Sequence, residues 1–382
     1  MRKTLFWIHL TAGLTAGVVI LTMSITGVLL MYERQVIEFA DRQFRSTIDG
    51  HRLRAENLLQ MVDTQVGARP DSLTLHAEAD AAAEVTVGTR VVYADAYSGK
   101  VLGEGSRQVR RFFRVVTDWH RCLAFEGPQR ATARSITGAA NLLLMGLALS
   151  GLFLWLPRNW TWSKLRPVLW FRGGLSPKAR DFNWHNVIGF WCALPLLVIT
   201  AGAAVISFPW ATNLVYRLTG TEPPPPAARP QNGHRDETKP KSLAWSGLDR
   251  AWKQAETTVP GWNTITWRYS PSDRITLAIS ESHRGRVDLR STLTVDGNSG
   301  EVVSHEKFSD YNRGRQSRMW LRFLHTGESL GVAGQTIAGI ASAGGAVLVW
   351  TGLSLALRRF RSWLESRSRR PANAQVQSEV SS

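Results

Sequence analysis

Four stretches of this chain contain no Asp, Glu, Lys or Arg, and each is long enough to cross a lipid bilayer. They are Thr4–Tyr32, Ser135–Pro157, Phe182–Tyr216 and Ser329–Leu357. A helix that spans a hydrocarbon core about 30 Å thick needs about 20 mostly apolar residues. Within the core every backbone N–H and C=O must be satisfied inside the segment, which leaves helices as the solution for runs of this length. The first run is too long for the apolar part of a signal peptide, and no A-x-A cleavage site follows it, so it reads as a retained span. The rest of the chain is polar. Hydrophobic residues make up 44% and the mean hydropathy is −0.14.

The expected organisation is an α-helical membrane protein with four transmembrane helices and two exported α+β modules. Span 1 covers residues 4–32, exported region 1 covers 33–134, and span 2 covers 135–157. A basic loop covers 158–181, span 3 covers 182–210, and exported region 2 covers 211–328. Span 4 covers 329–357 and a basic, then polar, tail without fixed structure covers 358–382. The stretch EPPPPAARP from Glu222 to Pro230 reads as a semi-rigid linker.

Charge sets the orientation. The two termini and the 158–181 loop share one side of the membrane, and that side holds fourteen Lys and Arg against three acids, a net of +11 out of the chain's +16. By the positive-inside rule this side is cytoplasmic. The chain is therefore expected in a bacterial inner membrane, with both termini inside and both large regions in the periplasm. Most of the basic excess is a topology signal, and no nucleic-acid footprint remains.

The two halves read as an internal repeat. Trp7-Ile8-His9 parallels Asn183-Trp184-His185, and Ser150-Gly151-Leu152 parallels Thr351-Gly352-Leu353. Asp95-x-x-Ser98-Gly99-x-Val101 parallels Asp296-x-x-Ser299-Gly300-x-Val302, each a turn between two short strands. Each half also carries two histidines. His9 and His185 begin the outward-running spans 1 and 3, near the cytoplasmic face. His120 and His325 precede the inward-running spans 2 and 4, near the outer face, with chain breaks expected at Glu126–Pro128 and Gly327–Gly331. The expected pairs are thus His9/His185 and His120/His325, because crossed pairs would have to reach across much of the core. Two imidazoles per site, with no carboxylate or thiol nearby, suit axial ligation of haem iron better than zinc, which takes four ligands. His51, His76, His234, His283 and His305 lie in the polar regions and read as ordinary fold or surface residues. Cys122 and Cys192 are too far apart for a disulfide. No C-x-x-C-H motif offers covalent haem attachment, and no Gly-rich dinucleotide fingerprint is present.

The four histidines and the two D-x-x-S-G-x-V turns, in this order, resemble the PepSY-associated transmembrane family, and within it the FoxB-type inner-membrane siderophore-iron reductases. The resemblance implies PepSY-like exported modules and two b-type haems, each held by two histidines among His9, His120, His185 and His325. It implies one-electron reduction of a ferric siderophore in the periplasm, with release of Fe(II). The electron donor, a quinol or a cytoplasmic reductant, is not indicated, and no residue is singled out as catalytic. Two other readings stand beside it at this point: a membrane protein whose modules bind peptides or partners, and a haem or metal transporter.

Overall fold

In a computed structural model, residues 1–156, 161–223, 245–282 and 286–379 are described, with side chains to residue 367. The first half runs α1 (Arg2–Leu30), α2 (Glu33–Asp41), α3 (Ala55–Val66), β1 (Ser72–His76), β2 (Ala83–Val87), β3 (Arg90–Ala94), β4 (Val101–Glu104), α4 (Arg107–Cys122) and α5 (Gln129–Trp155). After α6 (Trp162–Leu169) the second half runs α7 (Pro177–Ser207), α8 (Pro209–Leu218), α9 (Leu248–Thr258), β5 (Thr264–Arg268), β6 (Arg274–Ser280), β7 (Arg290–Asp296), β8 (Val302–Lys307), α10 (Arg313–Thr326) and α11 (Gly331–Glu379). Residues 224–230 of the proline-rich linker, His234, His283 and Arg158 lie outside the described residues.

Among the described residues, four helices are long and apolar enough to cross a membrane: α1 with α2, α5, α7, and α11 to Arg367. They pack as a ring in which α1 and α7 each touch both α5 and α11. Glycines allow the close approach. A Cβ at Gly17 would meet Val349 and Leu353, and one at Gly344 would run into the Cys192 sulfur. Small residues at such crossings let backbones pack without a hydrophobic driving force between helices. Among buried polar groups, Asn141 on α5 donates to the Thr200 carbonyl on α7 at 2.9 Å.

The helix ends differ from the uncharged runs in instructive ways. Helix α7 starts at Pro177, a position where the missing N–H costs nothing, so His185 lies in its third turn and not its first. It stops at Ser207 and not at residue 210, because Phe208 precedes Pro209 and adopts an extended backbone (φ −123°, ψ 125°). The tail is helical rather than structureless: α11 continues past Leu357 to Glu379. Its sequence RRFRSWLESRSRR from Arg358 to Arg370 has no glycine or proline to end a helix. The basic loop contains α6, which the Asn183 side chain holds by donating to the Pro167 carbonyl at 2.6 Å.

The two regions between spans share one sheet. The eight strands among the described residues form a single antiparallel sheet in the order β4-β3-β2-β1-β5-β6-β7-β8. The two regions expected as α+β modules join at β1 and β5, which pair over their full length, Leu73 opposite Trp267. Each would otherwise be an open edge with unpaired N–H and C=O groups. Helices α3 and α9 cover the same core, in which Leu58, Leu59 and Val62 meet Leu248, Trp252 and Ala255. Their first turns cap each other: the Glu56 N–H donates to Asp249 Oδ1 at 2.9 Å, and the Asp249 N–H to Glu56 Oε1 at 3.2 Å. The D-x-x-S-G turns form as expected. Asp95 Oδ1 accepts the N–H groups of Tyr97 and Ser98, and Asp296 Oδ1 those of Asn298 and Ser299, all at 2.9 Å. Gly99 and Gly300 close them at φ 69° and 78°.

One buried carboxylate ties sheet to bundle. Asp41, at the end of α2, is ion-paired with Arg110 of α4 at 2.5 Å and accepts from the Tyr93 hydroxyl of β3 at 3.1 Å. The sheet therefore sits at the end of the bundle where α4 and α10 begin.

Candidate functional site

The structure brings the four histidines together as two pairs. The ring centroids of His9 and His185 are 6.5 Å apart at an interplanar angle of 81°. Those of His120 and His325 are 6.4 Å apart at 48°. The first pair lies inside the ring, on the opposed helices α1 and α7, toward the basic-loop end. The second lies on α4 and α10 at the sheet end. Helix α4 ends in left-handed turns at Leu123 and Ala124 and a further one at Gly127. Helix α10 ends at Gly327, φ 74°. These breaks fold each short helix back beside the bundle. Along α1, His9 and the His120 partner Thr26 are about 25 Å apart at 1.5 Å per residue.

Each Nδ1 has a partner. His9 Nδ1 lies 2.8 Å from Ser150 Oγ, His185 Nδ1 2.9 Å from Thr351 Oγ1, and His120 Nδ1 2.9 Å from Thr26 Oγ1. His325 Nδ1 lies 2.9 Å from the Ile199 carbonyl. The direction of these bonds fixes the tautomer. A carbonyl only accepts, so His325 Nδ1 carries the proton. The three hydroxyls are each 2.7 or 2.8 Å from the carbonyl one turn back: Ser150 to Gly146, Thr351 to Val347, Thr26 to Thr22. Two oxygens that close need a hydrogen between them, so each hydroxyl proton is committed and the oxygen accepts from the imidazole. All four rings therefore donate through Nδ1 and keep a lone pair on Nε2, the arrangement in which imidazole binds a metal.

Glycines border three of the rings at ordinary contact distance. A Cβ at Gly151 would stand 3.4 Å from His9 Cε1, one at Gly352 3.4 Å from His185 Cε1, and one at Gly27 3.6 Å from His120 Cε1. In three cases the same dipeptide, hydroxyl residue then glycine, holds the ring and borders it: Ser150-Gly151, Thr351-Gly352 and Thr26-Gly27. The fourth anchor is backbone, and there Gly202 is essential, since a Cβ would collide with the Leu321 carbonyl and His325. Sequence reasoning noted two of these dipeptides as a repeat but missed that they anchor the histidines. The signal was a hydroxyl–glycine step inside an apolar span.

Protonation agrees with this role. Burial, then the neighbouring His325 and Arg121, push His120 down to about 4, against a weaker upward pull from the Met23 carbonyl. At neutral pH this ring is uncharged, the state that ligates metal.

The donor set tests which metal group fits. Among the described residues there is no group of three or more His, Cys, Asp or Glu that could hold a metal ion, so a tetrahedral zinc cage has no ligands here. Two imidazoles on one metal, each bonded at about 2 Å with roughly 1 Å more to the ring centre, put their centroids about 6 Å apart. Both pairs match. A group needing only two axial nitrogens from the protein fits these residues, and haem is such a group. Cys122 and Cys192 are free, buried thiols, and His51, His76 and His305 lie away from both pairs.

Comparison with known proteins gives one family. The family model described as the PepSY-associated TM region matches residues 6–371. No curated protein matches the chain.

Proposed function

The chain belongs to the PepSY-associated transmembrane family, and from that premise we propose that it is an inner-membrane dihaem reductase for periplasmic ferric siderophores. His9 and His185 would hold one b-type haem, and His120 and His325 the other. When bound, each haem supplies one-electron transfer between its ferric and ferrous states. The observation that carries this reading is the donor pattern: four imidazoles in two pairs, every Nδ1–H given away, every Nε2 left with its lone pair.

The chain's own residues do the remaining work. Ser150, Thr351, Thr26 and the Ile199 carbonyl orient the rings and raise their basicity. The apolar spans carry the inner pair, and a separation of about 25 Å along α1 sets the two pairs at opposite ends of the core. The net of +11 on the basic-loop side supports cytoplasmic termini, which puts the sheet and the second pair in or near the periplasm. The matching element order of the two halves, with one sheet symmetric about β1 and β5, supports the internal repeat. A ferric ion in a hard-oxygen chelate loses affinity on one-electron reduction, and the product is Fe(II).

The test uses the detergent-purified protein. A haem spectrum, reduced by dithionite and reoxidised by a ferric siderophore, is expected. A colourless protein, or a spectrum indifferent to the ferric chelate, overturns the reading. Haem that exchanges rapidly with apo-myoglobin would instead favour a transporter.

A further inference from the structure

At the basic-loop end, a groove of about 280 Å³ opens between α7 and α11, lined by Arg180, Asp181, Trp184, Val347, Trp350 and Thr351. Its rim is aromatic and faces outward: Trp350 is 67% exposed and Trp184 41%. On a spanning helix that exposure is toward lipid. Its polar end is Asp181, 3% exposed, whose Oδ1 accepts from Arg180 and whose Oδ2 accepts from Arg358, both at 3.0 Å. Thr351 is the residue whose hydroxyl holds His185, so one wall is a single hydrogen bond from the inner pair. Trp184 precedes His185 in the chain.

These features select an occupant. An apolar, indole-edged groove open to lipid takes a flat ring that reaches it through the bilayer. A carboxylate at its polar end offers acceptor oxygens to a hydroxyl. An anionic headgroup is less suited, because both guanidinium groups already face Asp181. We propose that this groove binds the head of a membrane quinol, stacked between Trp184 and Trp350 with one hydroxyl donating to Asp181. The assignment rests on the reading of the inner pair as ligands of an electron carrier, and it names the donor. Oxidation of one quinol to quinone breaks two O–H bonds. Two protons leave to water on the basic-loop side, and two electrons leave toward the His9/His185 pair. Those two electrons reduce two ferric ions, so one quinol balances two Fe(II).

Photolabelling tests it. The full chain, in nanodiscs of phosphatidylcholine, is illuminated with an azido-ubiquinone and digested, and the same is done with haem-free protein. Label is expected in peptides covering residues 180–184 and 346–351, displaced by excess unlabelled ubiquinone. In Trp350→Ala, whose side chain is largely exposed, labelling should fall about tenfold, as for the loss of one stacked ring. Label elsewhere, label that excess ubiquinone does not displace, or label displaced by phosphatidylglycerol alone overturns the proposal. The last result would make the groove a lipid site. Labelled protein that binds no haem would sink the haem reading and leave the quinone site standing. Haem-loaded protein without label would do the reverse.

Discussion

The two histidine pairs reach nearly the same ring separation, 6.5 and 6.4 Å, by different construction. At the basic-loop end both histidines sit within spans, and both anchors are hydroxyls on neighbouring spans. At the sheet end both histidines sit on short helices outside the spans, swung into place by left-handed turns, and one anchor is a backbone carbonyl. The inner geometry is set by packing of continuous helices. The outer geometry depends on two turns and on the sheet that leads into α4 and α10. The same donor pattern is thus built on two different scaffolds, one of packed spans and one of turns and short helices.

The comparison breaks most visibly at the glycines. Gly202→Val should drive α10 off α7, because even a Cβ collides with the Leu321 carbonyl. The expected cost is about 1–3 kcal/mol, and on the proposed dihaem reading the outer haem signal alone is lost. Gly151→Ala adds a methyl at 3.4 Å from His9 Cε1, an ordinary contact, and should leave both signals in place. Haem quantification by pyridine haemochrome on each purified variant reads the difference.

The anchors sharpen it next. Thr351→Val and Ser150→Ala remove the acceptors of both inner rings. Together they should weaken the inner haem's retention by about 10- to 100-fold and shift its midpoint potential. Of the two outer anchors, only Thr26 can be removed by a side-chain change, Thr26→Val, because no substitution removes the Ile199 carbonyl. Redox titration of each variant, followed optically, separates the two centres.

The turns come third. Gly327 is at φ 74°, and a Cβ there would also meet the Gly334 carbonyl. Gly327→Ala should cost about 1–3 kcal/mol and perturb the outer centre's spectrum while the inner one is unchanged. Equal disturbance of both centres would show that the outer scaffold is not independent.

The smallest effect contrasts the two D-x-x-S-G turns. Burial alone would raise Asp95, but N–H donors from Ser98, Thr47 and Tyr97 hold its carboxyl below the ordinary value. Donors from Ser299 and Asn298 do the same for half-buried Asp296. A lowered folded pKa contributes stability above the unfolded value of about 3.9, lost as pH falls through the folded one. Acidification below about pH 4 should therefore lower the melting temperature. Asp95→Asn should flatten that dependence more than Asp296→Asn, since Asp95 also holds Thr47 at 2.8 Å. Equal slopes in a thermal melt series would remove the distinction.

Much of the site was legible in sequence because membrane depth is legible. Uncharged runs mark which stretches lie in the membrane, though not where each helix begins, and direction then puts His9 with His185 and His120 with His325. The turns at Gly127 and Gly327 were legible because glycine before a span has few other uses. The joined sheet was not. Strands β1 and β5 are five residues each, and nothing local in Ser72–His76 says that its partner lies almost two hundred residues on. The anchors were hidden for a different reason. A serine or threonine in a span usually bonds its own helix, and these do, so their second bond to an imidazole appears only in three dimensions.

The most direct test of the central claim is haem content and redox titration across His9→Ala, His185→Ala, His120→Ala and His325→Ala. His9→Ala and His185→Ala should each remove or shift the same one of two centres, and His120→Ala and His325→Ala the other. Haem per chain should fall from about two toward about one in each. If His9→Ala and His120→Ala instead disturb a common centre, or all four variants keep both, the pairs are not axial ligand pairs and the account is contradicted.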